Sequence, residues 1–144
     1  MEEPLGNLEV GTTLKSQGRT ISEGDFTTMV NLSWETGSLH SDREYAKTTQ
    51  FGERVLGGPC IIPLVAGLSS HPLHMAWDRA GLGVVALLSI ENVHFTAPLH
   101  PGDTIWVETE ITGLRPASKS DRYLMNLKDI VYKQDGRAIL DTVA

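Results

Sequence analysis

Three places along the chain concentrate groups able to do chemistry. The first is Glu35-Thr36-Gly37-Ser38-Leu39-His40-Ser41-Asp42-Arg43-Glu44-Tyr45-Ala46-Lys47, where a histidine sits among carboxylates. A neutral imidazole has an unperturbed pKa of about 6.5, which suits His40 to general acid–base work. A loop histidine of this kind can equally serve only as a hydrogen-bond partner for backbone. The second place is Gly57-Gly58-Pro59, ahead of the uncharged run Cys60 to Leu68. A helix beginning there presents unpaired amides and the positive end of its dipole to any developing anion. The plainer reading is that the glycines merely turn the chain into the helix. The third is His71 and His74, whose spacing resembles a metal-ligand pair. No Cys, His or carboxylate pair accompanies them and Pro72 lies between, so no metal is expected.

The elements that must position these groups follow from residue spacing. Ser22-Glu23-Gly24-Asp25 has capping-box spacing, and Phe26, Met29, Val30, Ser33 and Trp34 recur at helical intervals, which predicts a helix from Glu23 to Trp34. Gly37 is expected to end it in the left-handed region, with Ser38 to His40 in a tight turn. Asp42 reads as the cap of a second, short helix around Glu44-Tyr45-Ala46. Gly57 to Leu68 predicts a buried helix that tolerates Pro59 at its start and Pro63 soon after. Leu8 to Ile21 suits an irregular strand. Ile105, Val107, Thr109 and Ile111 alternate with Trp106, Glu108, Glu110 and Thr112, the period of a half-buried strand. Gly102-Asp103 turns the chain into it, Asp103 bonding backbone amides. Val84 to Ile90 and Tyr123 to Tyr132 predict further strands, and Asp135-Gly136 a hairpin turn into Ala138 to Val143. Helices followed by antiparallel strands indicate an α+β domain with one sheet around an apolar helix.

At 144 residues the chain reads as a single domain, 1–144, whose last strand is expected to be cut short at Ala144. Apolar residues make up 40%, and the lack of any run of about 18 of them argues against a membrane protein. Eighteen acidic against twelve basic side chains, a net charge of -6, argue against nucleic acid as partner. The single Cys60 cannot form an internal disulfide, and Met1-Glu2-Glu3-Pro4 lacks the pattern of a secretion signal. A cytoplasmic protein is expected.

His40, Asp42, Tyr45-Ala46, Phe51-Gly52 and Gly58, followed by Phe95-Thr96-Ala97-Pro98 and Pro101-Gly102-Asp103-Thr104, closely resemble the landmarks of the MaoC-like hydratases. The resemblance spans Ile21 to Gly136. It implies a hotdog fold, a long helix cradled in a curved antiparallel sheet, usually paired as a double hotdog, a homodimer or a higher homo-oligomer. It also implies a reaction, the reversible addition of water to a 2-enoyl thioester of coenzyme A or a carrier protein, with no cofactor beyond the coenzyme A of the substrate. On that resemblance His40 is the base, Gly58 offers its amide to the enolate oxygen, and Ser38, Gly57 and Pro59 line the substrate. The family's second acid lies five residues before the histidine, where this chain has Glu35. Another alignment matches Thr36-Gly37 to the Thr-Gly that often precedes the family's aspartate and leaves no acid in the loop. Arg115, Lys119 and Arg122 are candidates for coenzyme A phosphates, with a solvated loop as the plain alternative. The competing functions are a hotdog thioesterase, which the uncharged stretch Gly58 to Ser70 argues against, and a noncatalytic acyl-thioester-binding module.

Overall fold

Burial of one apolar helix against one face of a sheet organises the chain. The computed structural model describes residues 8–119 and 121–143; the opening Met1-Glu2-Glu3-Pro4 and the expected stop at Ala144 lie outside them. Strands β1 (Thr13–Lys15) and β2 (Arg19–Thr20) precede helices α1 (Glu23–Ser33), α2 (Ser38–Ser41), α3 (Arg43–Lys47) and the 22-residue α4 (Gly58–Arg79). Strands β3 (Glu91–Phe95), β4 (Thr104–Pro116), β5 (Tyr123–Lys133) and β6 (Ala138–Val143) follow. All pairings are antiparallel in the order β1-β4-β5-β6-β3, with β2 also on β4.

The alternation read in β4 is the one observed. Ile105, Val107, Thr109 and Ile111 are buried on one face, where Ile105 and Val107 meet Cys60, Ile61 and Val65 of α4, Val131 of β5, and Ile139 and Leu140 of β6. A slip of one residue would turn that row to water, so burial sets the register. Asp103 holds the turn before β4 through the His100 amide (2.8 Å) and pairs with the buried Lys133 at 2.9 Å. Burial pushes its carboxyl up, but Gln134, Lys133 and the His100 amide outweigh this and leave it below the ordinary range.

Four expectations change. α4 does not stop near Leu68 but runs through Pro63 and Pro72 to Arg79, because burial of Ser69 and Leu73 against the sheet offsets the backbone bonds the prolines cannot make. The left-handed residue after α1 is Trp34, at φ 62, not Gly37, which lies at φ -55 and opens α2. The Ser33 hydroxyl competes for local backbone there, donating to the Val30 carbonyl and accepting from the Glu35 amide. Ser38 to His40, expected as a turn, form the first residues of α2. Val84 to Ile90 pairs with no strand; Val85 is 70% and Leu88 76% exposed, and the sheet edge is taken by β3 just downstream. Aliphatic composition signals a demand for burial without naming the surface that meets it.

Trp34 is 87% exposed, so its indole contributes little to offset the left-handed backbone. That conformation costs an L-residue about 1–2 kcal/mol, and glycine's extra chain entropy about 0.5–1. Trp34→Gly is therefore expected to stabilise the fold by about 0.5–1 kcal/mol, read as a higher melting temperature.

Candidate active site

Two helix ends and one extended segment bring the acid and the imidazole together. The capping box of α1, with Ser22 and Asp25 each bonded to the other's backbone amide, sets where that helix begins, and Glu35 follows its left-handed exit. His40 is carried by α2, and Asp42 caps α3 by accepting from the Tyr45 amide at 3.0 Å, the structural role read for it in the sequence. The segment Glu53 to Gly57 is anchored from several sides. The Val55 amide donates to Leu39, the Leu56 amide to Leu99, and the His100 ring to the Arg54 carbonyl at 2.8 Å. The buried Arg54 guanidinium pairs with Glu23 and Glu53 and lies over the Phe26 ring. The hydrogen bonds Arg54 donates, from its guanidinium to Glu23 and from its own amide to Glu53, hold both carboxyls below their usual range.

That anchoring fixes the histidine's chemistry. A carbonyl can only accept, so His40 Nδ1 donates to the Val55 carbonyl at 2.6 Å and leaves Nε2 as the basic nitrogen of the neutral ring. Nε2 lies 3.8 Å from Glu35 Oε1. This exceeds a direct hydrogen bond, yet one oxygen placed to the side of the gap can bond both atoms. The His40 side chain is 16% exposed and that of Glu35 42%, so solvent reaches both.

The carboxylate rests on the start of α4. Gly57 is the N-cap and no side chain caps this helix; Pro59 has no amide hydrogen and the Cys60 amide donates to the Gly57 carbonyl, which leaves the Gly58 amide as the open donor of the first residues. A Cβ on Gly57 would lie 2.6 Å from the Glu35 carboxyl carbon, and the Cys60 thiol donates to Glu35 Oε2 at 3.7 Å. Glu35, Pro59 and Cys60 share one cleft with Met29, Leu32 and Pro63. At Gly58 a Cβ would meet the Phe95 ring at 2.9 Å, so its missing side chain admits an aromatic ring, and the amide is what remains to offer a carbonyl.

Not every residue singled out in the sequence converges here. Ser38 is exposed and its hydroxyl bonds neither Glu35 nor His40. Arg115, Lys119 and Arg122 belong to the β4–β5 hairpin, where Leu114 and Met125 pack with Trp77 and Ala80. With 1.5 Å of rise per residue, Trp77 is about 28 Å along α4 from Gly58, so within one chain these cations do not approach the site. His71 is exposed, and His74 donates to the Ser70 carbonyl and sits edge-on to Trp77. The sequence offered no pointer to the Val55 carbonyl or to His100, whose parts are backbone contacts, and read Cys60 only as an unpaired thiol.

Apart from that cleft, a second, apolar groove opens between α4 and strands β3, β5 and β6. Ile62 to Trp77 of α4 form one wall and Val93 of β3 another, with Val84 and Leu87 at the rim. Asp129 lies in this apolar lining, 9% exposed, with Thr109 donating to its Oδ1 at 2.5 Å. Burial pushes its carboxyl above the ordinary range, and the Thr109 bond opposes this only in part. A carboxyl with a raised folded-state pKa costs stability once pH rises above its unfolded value of about 3.9. Asp129→Asn is thus expected to raise the melting temperature at neutral pH, with the gain vanishing as the pH falls to that value.

A long helix packed on one face of an antiparallel sheet, with an acid and an oriented imidazole beside the helix start, defines a hotdog domain. A sequence profile of the MaoC like domain matches residues 7–131, and the chain belongs to that family. It is 34% identical over 104 residues to the (R)-specific enoyl-CoA hydratase of Rhodospirillum rubrum, covering 72% of this chain and 67% of that protein. It is also 34% identical over 100 residues to Protein MaoC of Klebsiella aerogenes, 69% of this chain but only 28% of that longer protein. The structure of the R-hydratase PhaJ1 from Pseudomonas aeruginosa superposes with a TM-score of 0.75 at 26% identity, covering 95% of this chain and 79% of that one.

Proposed function

We propose that the chain reversibly hydrates the double bond of a 2-enoyl thioester, of coenzyme A or a carrier protein, with His40 and Glu35 holding the water. The observation that carries this is the 3.8 Å approach of Glu35 Oε1 to the basic nitrogen of a ring fixed on the Val55 carbonyl. As the water oxygen bonds the β carbon, its proton passes to His40 and the π electrons move onto the thioester oxygen. The Gly58 amide at the start of α4 stabilises that charge; preorganised donors of this kind are worth about 3 kcal/mol. The Glu35–His40 pair then returns one proton to the α carbon, so water adds with no net change in the protein. No cofactor takes part.

The relatives named for (R)-specific hydration support an (R)-3-hydroxyacyl product. We read the working unit as a cytoplasmic homodimer. The exposed aliphatic run Val84 to Ile90, leading into the edge strand β3, supports a second copy as its cover. Among the described residues no helix is long and apolar enough to cross a membrane. Incubation with a trans-2-enoyl coenzyme A should consume the conjugated double bond and yield a single 3-hydroxyacyl enantiomer, while a saturated acyl coenzyme A should release no free thiol. Thiol release without hydration would make the protein a thioesterase, and binding without either reaction would make it an acyl-thioester-binding module.

A further inference from the structure

The groove between α4 and the sheet contains one carboxyl group, which an ordinary hydrocarbon tail does not need. Gly58 packs on Phe95, and Ile62 and Val93 line the groove, so α4 and β3 run together from the site into it. Ser69 and Asp129 lie deeper. Ser69 is eleven residues beyond Gly58 along α4, a rise of about 16 Å at 1.5 Å per residue. Among the described residues, Thr109 is the only hydrogen-bond partner of Asp129 and no cation pairs with it.

The other Asp129 oxygen opens onto the groove, and an acyl chain laid there would take it out of water, a cost recovered only where the chain supplies a hydrogen-bond partner. The hydroxyls of Ser69 and Thr142, which line the same groove, donate to the Ala66 and Glu91 carbonyls, and Leu73, Leu127 and Leu140 offer no donor. A hydroxyl fits either protonation state, donating to the carboxylate or accepting from the acid. A plain methylene chain fits neither and must leave the group desolvated and unsatisfied.

We propose that Asp129 is a specificity-determining residue that selects acyl chains bearing a hydroxyl at their far end, about 16 Å from the thioester carbonyl, over unsubstituted chains. This rests on the hydratase reading above. Sites built to hydrogen-bond a substrate hydroxyl discriminate strongly against the analogue lacking it, because the buried partner is then left unpaired.

The test uses trans-2-enoyl coenzyme A substrates of about twelve carbons, with and without a terminal hydroxyl, that length being set by the same rise along the helix. The wild type should hydrate the hydroxylated chain with a kcat/KM at least about tenfold higher, the difference that 1.4 kcal/mol produces. Asp129→Val should reverse the order through a lower KM for the plain chain, whereas mere loosening of the fold would lower both rates together. Equal kcat/KM for the two chains in the wild type would overturn the role of Asp129 while leaving the hydratase intact, whether or not the variant folds. Hydration of neither chain would instead remove the hydratase reading and this inference with it.

Discussion

His40→Ala is expected to lower the kcat for enoyl thioester hydration about a thousandfold, within the 10²–10⁴ range typical of a positioned general base. The expectation follows from the way the ring is held. Nδ1 is committed to the Val55 carbonyl, so in the neutral ring Nε2 is the nitrogen open to a proton, and it faces Glu35 across a gap that one water oxygen can bridge. Alanine removes both the base and the anchor, and a loss through altered loop geometry must be separated from a loss of base. His40→Asn makes that separation, since a carboxamide can still donate to Val55 but cannot take a proton at neutral pH. The asparagine variant should melt close to the wild type and lose nearly as much kcat as alanine. Full activity in either variant would leave His40 as a backbone partner only, the plain reading of a loop histidine.

Gly57→Ala should cost kcat about a hundredfold while barely changing the melting temperature, a dissociation that comes from what the new methyl would strike. The nearest atoms are the tip of the Glu35 side chain. A carboxylate on three rotatable bonds swings away at little cost to the fold, but the acid then leaves the start of α4 and the water it shares with His40. A misplacement of about 1 Å already costs on the order of a hundredfold in such sites. Shortening the acid should restore room, so Gly57→Ala with Glu35→Asp is expected to recover part of the lost activity, more than Glu35→Asp alone would suggest. An alanine variant with unchanged kcat would show that Glu35 does not act from its observed seat. A variant that lost both activity and stability would show that Gly57 serves the backbone.

This pairing also accounts for the exchange of aspartate for glutamate that the resemblance exposed. The longer side chain needs space at its end, and the glycine before α4 provides it. Sequence alone left open whether the loop held an acid at all, since two alignments of Glu35 to Gly37 were equally consistent. Only the fold of α1 and α2 settles which side chain lies beside the ring.

Local spacing was sufficient for the capping box of α1, the Asp42 cap of α3, the alternation of β4 and the Asp135-Gly136 hairpin, because each depends on neighbours within a few residues. It also determined the family and the α+β class, since ordered landmarks survive in the chain itself. Tertiary structure decided the rest: that α4 continues through two prolines, that Val84 to Ile90 stays unpaired, that Arg115, Lys119 and Arg122 lie toward the far end of the helix, and that Asp129 lines an apolar groove. Each of these depends on what a segment packs against, and that surface is supplied by residues tens of positions away, whose approach no local pattern encodes.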